Sequence, residues 1–178
     1  MHTLQANFNQ QFAIMKKYGK KILIGLLIVL TGLQFYRPER NLSGESSNDI
    51  STKYPIPEPV MAILKPACMD CHSNTTRYPW YAEIQPLGMW LAGHVKGGKQ
   101  KLNFSTFTSR KLAVQNHKFE EIIEIVKEGD MPLKPYTWIH GDARLSSEQR
   151  ALITAWAGTM MDTLRLQYPA DSLVMKRG

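Results

Sequence analysis

Cys68-Met69-Asp70-Cys71-His72 is the stretch on which the reading of this chain turns. It has the form C-x-x-C-H, the attachment signature of a c-type haem. Two cysteines three apart share one helical turn, so each can form a thioether to one edge of a porphyrin. The next residue, His72, is then held beneath the iron as proximal ligand. Other uses of the pair fit less well. A thioredoxin-like redox pair needs a strand before it, and Leu64-Lys65-Pro66-Ala67 does not read as one. A zinc site needs two more ligands, but His94, His117 and His140 are scattered without H-x3–5-H spacing. A disulfide across two residues would close little chain entropy. The motif therefore implies one covalent haem c, and its single occurrence implies a single haem.

The 178 residues suffice for one domain with an anchor, and an apolar content of 43% is ordinary for a folded core. The net charge of +7 is unevenly placed, with Lys16, Lys17, Lys20 and Lys21 ahead of an apolar run. No basic patch interleaved with aromatics is visible, which argues against nucleic acid as a partner. Both cysteines belong to the motif, so there is no disulfide framework.

Outward from the motif toward the N-terminus, residues 37–59 read as a linker, polar at Asn41–Asp49 and proline-dense at Tyr54–Pro59. Before it, residues 22–36 form an uncharged, mostly apolar run of 15 residues. As a helix the run spans roughly 22 Å, against about 30 Å of bilayer hydrocarbon. Snorkelling lysines and Tyr36 at the far interface close part of that gap. The expectation is an uncleaved transmembrane signal-anchor. Residues 1–21 are then cytoplasmic by the positive-inside rule, and the haem domain is periplasmic at the cytoplasmic (inner) membrane. A cleaved signal peptide is the competing reading.

Residues 60–178 are expected to form the haem-binding domain. Val60–Ala67 reads as a short helix leading into the motif. Leu87–Val95 reads as a helix stopped by Gly97-Gly98, and Leu102–Ser109 as irregular. Lys118–Glu128 is amphipathic and ends at Gly129. Ser146-Ser147-Glu148-Gln149 is a capping-box start for a last helix to about Leu164. No strand run is evident, so the domain should be all-α.

This order resembles the class I cytochrome c layout: a helix, C-x-x-C-H, a later Met-Pro after a glycine, then a last amphipathic helix. More closely, several stretches together resemble the bacterial haem-binding-domain family of membrane-anchored monohaem c proteins. They are Cys68–Asn74, Tyr78-Pro79-Trp80-Tyr81, His94-Val95, Leu102–Ser105, Gly129–Pro132 and His140–Ser146. The resemblance covers about residues 54–165. It implies a covalently bound haem c and a cytochrome c-like domain behind a single N-terminal transmembrane helix, without implying a substrate.

Met131 is the expected sixth ligand, in a Gly-x-Met-Pro setting that matches the ligand loop of cytochrome c. A thioether there raises the potential and suits electron transfer. His94 is the alternative and would give bis-histidine ligation at lower potential. His140 could serve a haem propionate or cap a turn, His117 reads as surface, and Met69 should point away from the iron. Lys96, Lys99, Lys101, Arg110 and Lys111 form an acid-free stretch that reads as a solvated face, with docking of an acidic redox partner as the second reading. The expected function is a membrane-tethered single-electron carrier for redox partner proteins or a respiratory complex. It is not an enzyme in this reading. The rivals are a haem enzyme or ligand sensor with an open distal site, where only His94 or His140 could act as a peroxidase acid–base group, and a haem-stabilised accessory subunit.

Overall fold

The motif lies at the end of one continuous helical run. In the computed structural model, which describes residues 2–175 and side chains from Lys17 onward, helix α2 (Glu58–Leu64) passes through a wider π-helical turn (Lys65–Met69) into the single turn α3 (Asp70–His72). Pro59 sits where the first turn needs no N–H, and Glu58 places negative charge at the positive end. Pro66 lacks the N–H an α-helix would need there, and the ladder widens by one residue across it. Five further elements complete the main inventory: α1 (His2–Leu33), α4 (Leu87–Lys101), α5 (Leu112–Glu128), α6 (Lys134–Ile139) and α7 (Ser147–Gln167). Short 3-10 turns lie at Ile50–Thr52, Trp80–Glu83, Phe104–Ser109, Gly141–Ala143 and Ala170–Ser172. Among the described residues the only strand-like pairing is an isolated bridge between Leu42 and Thr75. The expected all-α class holds.

The chain divides into two units, residues 1–39 with 78–92, and residues 40–77 with 93–178. In the first unit, Gln34 follows α1 and uses its side-chain amide as a backbone partner. It donates to the carbonyls of Leu30 (2.9 Å) and Gln85 (3.0 Å) and accepts from the Gln85 N–H (3.0 Å). Gln85 in turn caps the opening of α4 by accepting from the Met89 N–H at 2.9 Å. Arg37 donates to the Glu83 carbonyl at 2.9 Å.

The transmembrane signal-anchor expected at residues 22–36 is corrected here. Among the described residues no helix is long and apolar enough to cross a membrane. The helix closes at Leu33, so its apolar part runs from Ile22 to Leu33, which is 12 residues or about 18 Å. Gln34 is engaged with Gln85, and Tyr36 lies beyond the helix. The single-pass inner-membrane placement, with a periplasmic haem domain tethered by that helix, falls with it.

In the second unit α5 packs on α7, and α2 also packs on α7. Their shared core holds Val60, Leu64, Phe104, Phe107, Phe119, Ile153, Trp156 and Leu164. Phe119 meets Tyr54 and Trp156 edge-on, with ring centroids 5.0 and 5.7 Å apart, a favourable aromatic geometry. On α5 the buried positions are Gln115, Phe119, Ile122 and Val126, one face at helical spacing. The helix starts at Leu112, six residues earlier than its apolar face suggests, and ends at Gly129 with φ +81°, where a side chain would be strained. The capping box opens α7: Ser146 Oγ accepts from the Gln149 N–H (3.2 Å), and Gln149 Oε1 accepts from the Ser146 N–H (2.9 Å).

Residues 37–59, expected as a linker, contain two core residues, Ile50 and Tyr54. They also contain Asn41, whose amide donates to the Ser73 carbonyl (2.8 Å) and to Thr76 Oγ1 (2.9 Å), while the Thr76 N–H returns a bond to the Asn41 carbonyl (3.0 Å). This segment is laid against the turn that follows the motif.

Candidate haem site

Cys68 closes the fourth position of the π-turn, and Cys71 and His72 follow on α3. Both thiols are free and half-buried. Burial pushes the Cys68 thiol up to about 12, and the neighbouring Cys71 adds to this. Burial pushes Cys71 up to about 11, with the Asp70 charge as a second cause. Low polarity disfavours the thiolate in both.

His72 is oriented from α4. Its Nδ1 lies 3.0 Å from the Leu102 carbonyl oxygen, just past the end of α4. A carbonyl only accepts, so Nδ1 carries the proton and Nε2 keeps its lone pair for a metal. Burial lowers the pKa of His72, partly opposed by the carbonyls of Leu102 and Gly98, so the ring is held in the neutral form a ligand needs. α4 approaches this closely because Gly98 has no side chain. A Cβ there would stand 2.7 Å from the Cys71 carbonyl oxygen and 3.2 Å from the Cys71 Cβ. The expected stop at Gly97-Gly98 is therefore corrected. The helix continues through both glycines to Lys101, and Gly98 serves a close helix approach rather than a cap.

The turn after the motif is clamped by amides and hydroxyls. Asn74 donates from its backbone N–H to Ser105 Oγ (3.1 Å) and from its side chain to the Glu45 carbonyl (2.8 Å). It accepts from the Asn103 amide at 2.8 Å.

Asp70, between the two cysteines, is 6% exposed. Sequence reasoning missed its role. Its Oδ1 accepts from the Arg77 backbone N–H and from Arg77 Nε, each at 3.1 Å. Its Oδ2 accepts from Arg77 Nη2 (2.9 Å) and from the Tyr136 hydroxyl (2.8 Å). Burial, then the Asp70 charge, push the Tyr136 phenol well above its ordinary value. The only sequence signal was an acid inside the motif with an arginine seven residues on.

The remaining expected residues fall as follows. Met131 is half-buried in the loop between α5 and α6, before the buried Pro132. That loop leads into α6, whose Tyr136 is the one bonded to Asp70. His94 is half-buried on α4, one helical turn before Gly98. The His140 ring stacks on Tyr136, with centroids 4.2 Å apart and planes 13° from parallel. His117 lies beside Glu120 and Glu121 on the outer side of α5. Met69 packs against the core. Of the basic stretch, Lys96, Lys101, Arg110 and Lys111 are exposed, while Lys99 donates to Asn41 Oδ1. Among the described residues no three His, Cys, Asp or Glu cluster as a metal site. The chemistry on offer is a single oriented imidazole beside two thiols.

A sequence model described as the haem-binding domain matches residues 28–159, which is 132 of the 178 residues. The chain belongs to the haem-binding-domain family. No curated protein and no solved structure matches it. The chain is thus a haem protein. His72, with Nε2 left available as a ligand, and the two free thiols beside it fit this group.

Proposed function

We propose that this haem protein is a monohaem cytochrome of the c type that exchanges single electrons with redox partner proteins, either as a carrier or within a respiratory complex. In this reading Cys68 and Cys71 are the two thioether residues, His72 is the proximal ligand and Met131 is the distal ligand. The observation that carries it is the His72 Nδ1 bond to Leu102, made from a ring that burial keeps neutral and next to two free thiols. A ligand imidazole fixed through its other nitrogen to a backbone carbonyl is oriented and made more basic. Bound there, the haem supplies a one-electron iron couple. The chain's own part is to hold the ring, exclude water and fix the second ligand.

The test is spectroscopic. The purified protein should retain haem after denaturation, and Cys68→Ala or Cys71→Ala should weaken that retention. The oxidised protein should be low-spin with a sulfur-to-iron charge-transfer band, and Met131→Ala should abolish the band. A low-spin protein without the band moves the distal assignment to His94. A high-spin protein that binds carbon monoxide rapidly when reduced overturns the carrier reading in favour of an open-site enzyme or sensor.

A further inference from the structure

A carboxylate buried inside a haem-attachment motif needs a reason, because burying charge is costly unless every lone pair is satisfied. At Asp70 that condition is met. Four donors converge on its two oxygens: two guanidinium N–H groups and a backbone N–H from Arg77, and the Tyr136 hydroxyl. The charge is pinned in place. Its carbonyl is held as well, accepting from Thr76 Oγ1 at 2.6 Å. The Asp70 side chain is 9% exposed, while that of Arg77 is 61% exposed. The negative partner therefore sits in low dielectric, and the positive partner reaches into water. The two charges do not cancel where it matters: the buried one is screened less.

We propose that Asp70, held by Arg77 and Tyr136, is a fixed redox-tuning charge that lowers the reduction potential of the haem attached at Cys68 and Cys71. The proposal rests on the covalent c-type reading above. The electron balance is simple. One electron from a one-electron donor enters the haem, whose charge falls by one. No proton moves at Asp70, Arg77 or Tyr136, and none of them makes or breaks a covalent bond. Adding the electron beside a fixed negative charge is less favourable, so the charge lowers the potential. The donors around Asp70 offset part of that effect.

The experiment is mediated potentiometry of the full-length holoprotein at a single pH. The variants are Asp70→Asn, Arg77→Gln and Tyr136→Phe. Removing the buried negative charge should raise the midpoint potential. Arg77→Gln should lower it by less than Asp70→Asn raises it, because the guanidinium is solvated. Tyr136→Phe keeps the ring that stacks on His140 and loses only the hydroxyl, so it should lower the midpoint by the smallest amount. A merely structural role predicts shifts without this sign pattern. Asp70→Asn and Arg77→Gln moving the midpoint in the same direction, or neither moving it, at normal haem content, overturns the proposal. If Asp70→Asn takes up no haem, the other two variants decide: an unchanged or raised midpoint in both overturns it. The underlying reading fails in a different way. Wild-type protein that loses its haem on a denaturing gel was never covalently attached, and that result overturns both.

Discussion

Low polarity around the motif keeps both sulfurs protonated in the folded, haem-free chain. Cys71 moves from an ordinary 9.0 to about 11. At pH 8 that shift leaves about a hundredfold less thiolate, and the thiolate is the reactive species. Alkylation of the folded chain should therefore be about a hundredfold slower than that of the same chain in urea. The rate should climb about tenfold per pH unit until pH passes the raised value. Stability follows with a definite sign. A group whose folded pKa is raised contributes stability that is fully present below 9 and lost as pH rises toward 11, because only the unfolded thiols ionise in that window. Equal alkylation rates with and without urea at pH 8 would contradict the burial of these sulfurs. Cys68, Cys71 and His72 stood out in the sequence because the proposed attachment chemistry demands one local spacing. Asp70 was not, since the same local string says nothing of Tyr136, which lies 66 residues away.

Among the elements, α4 shows how one residue type carries two meanings. Gly129 ends α5 in a left-handed conformation, as a glycine after an apolar periodic run should. Gly97 and Gly98 read the same way in sequence, yet α4 passes through both. The distinction lies in what a side chain would meet. A Cβ on Gly97 meets nothing within 4 Å, whereas one on Gly98 meets the Cys71 backbone at 2.7 Å. The two alanine substitutions should thus have opposite signs. Gly97→Ala should stabilise the protein by about 0.5–1 kcal/mol, the helix-interior advantage of alanine. Gly98→Ala should destabilise it by about 1–3 kcal/mol through overpacking. It should also perturb the axial-ligand spectrum, because α4 leads to the carbonyl that orients His72. Urea midpoints of the two holoprotein variants check this, and a stabilising Gly98→Ala would mean the approach is not tight. The π-turn was equally hidden. Pro66 signals only that an α-helical bond is missing, and whether the helix ends or widens depends on the packing that follows.

At the scale of the whole chain, legibility tracks contact distance. The capping box of α7, the inward face of α5 and the all-α class rest on patterns within one or two helical turns, and all were readable. The apolar run at residues 22–36 misled because hydropathy gives composition but not where a helix closes, and α1 closes at Leu33. The supposed linker misled for the opposite reason. Its polar residues read as solvated, but their partners lie far along the chain. Asn41 is the clearest case, joining the Ser73 carbonyl, Thr76 Oγ1 and Lys99 Nζ. Its amide donates on one side and accepts on the other, so two substitutions separate hydrogen bonding from charge. Asn41→Ala removes three bonds and should cost about 2–3 kcal/mol at about 1 kcal/mol each. Asn41→Asp gains an ion pair with Lys99, worth at most about 1 kcal/mol at a part-exposed site. It also sets a carboxylate oxygen 2.8 Å from the Ser73 carbonyl, where the amide had donated. Two acceptors at that distance repel, and the Ser73 carbonyl loses its partner. The aspartate should therefore be destabilised despite its favourable charge, and raising salt should not rescue it. Chemical unfolding of both variants followed by far-ultraviolet circular dichroism tests this. An aspartate variant as stable as the parent would show that charge at Lys99, not donation to Ser73, holds this segment against the motif turn.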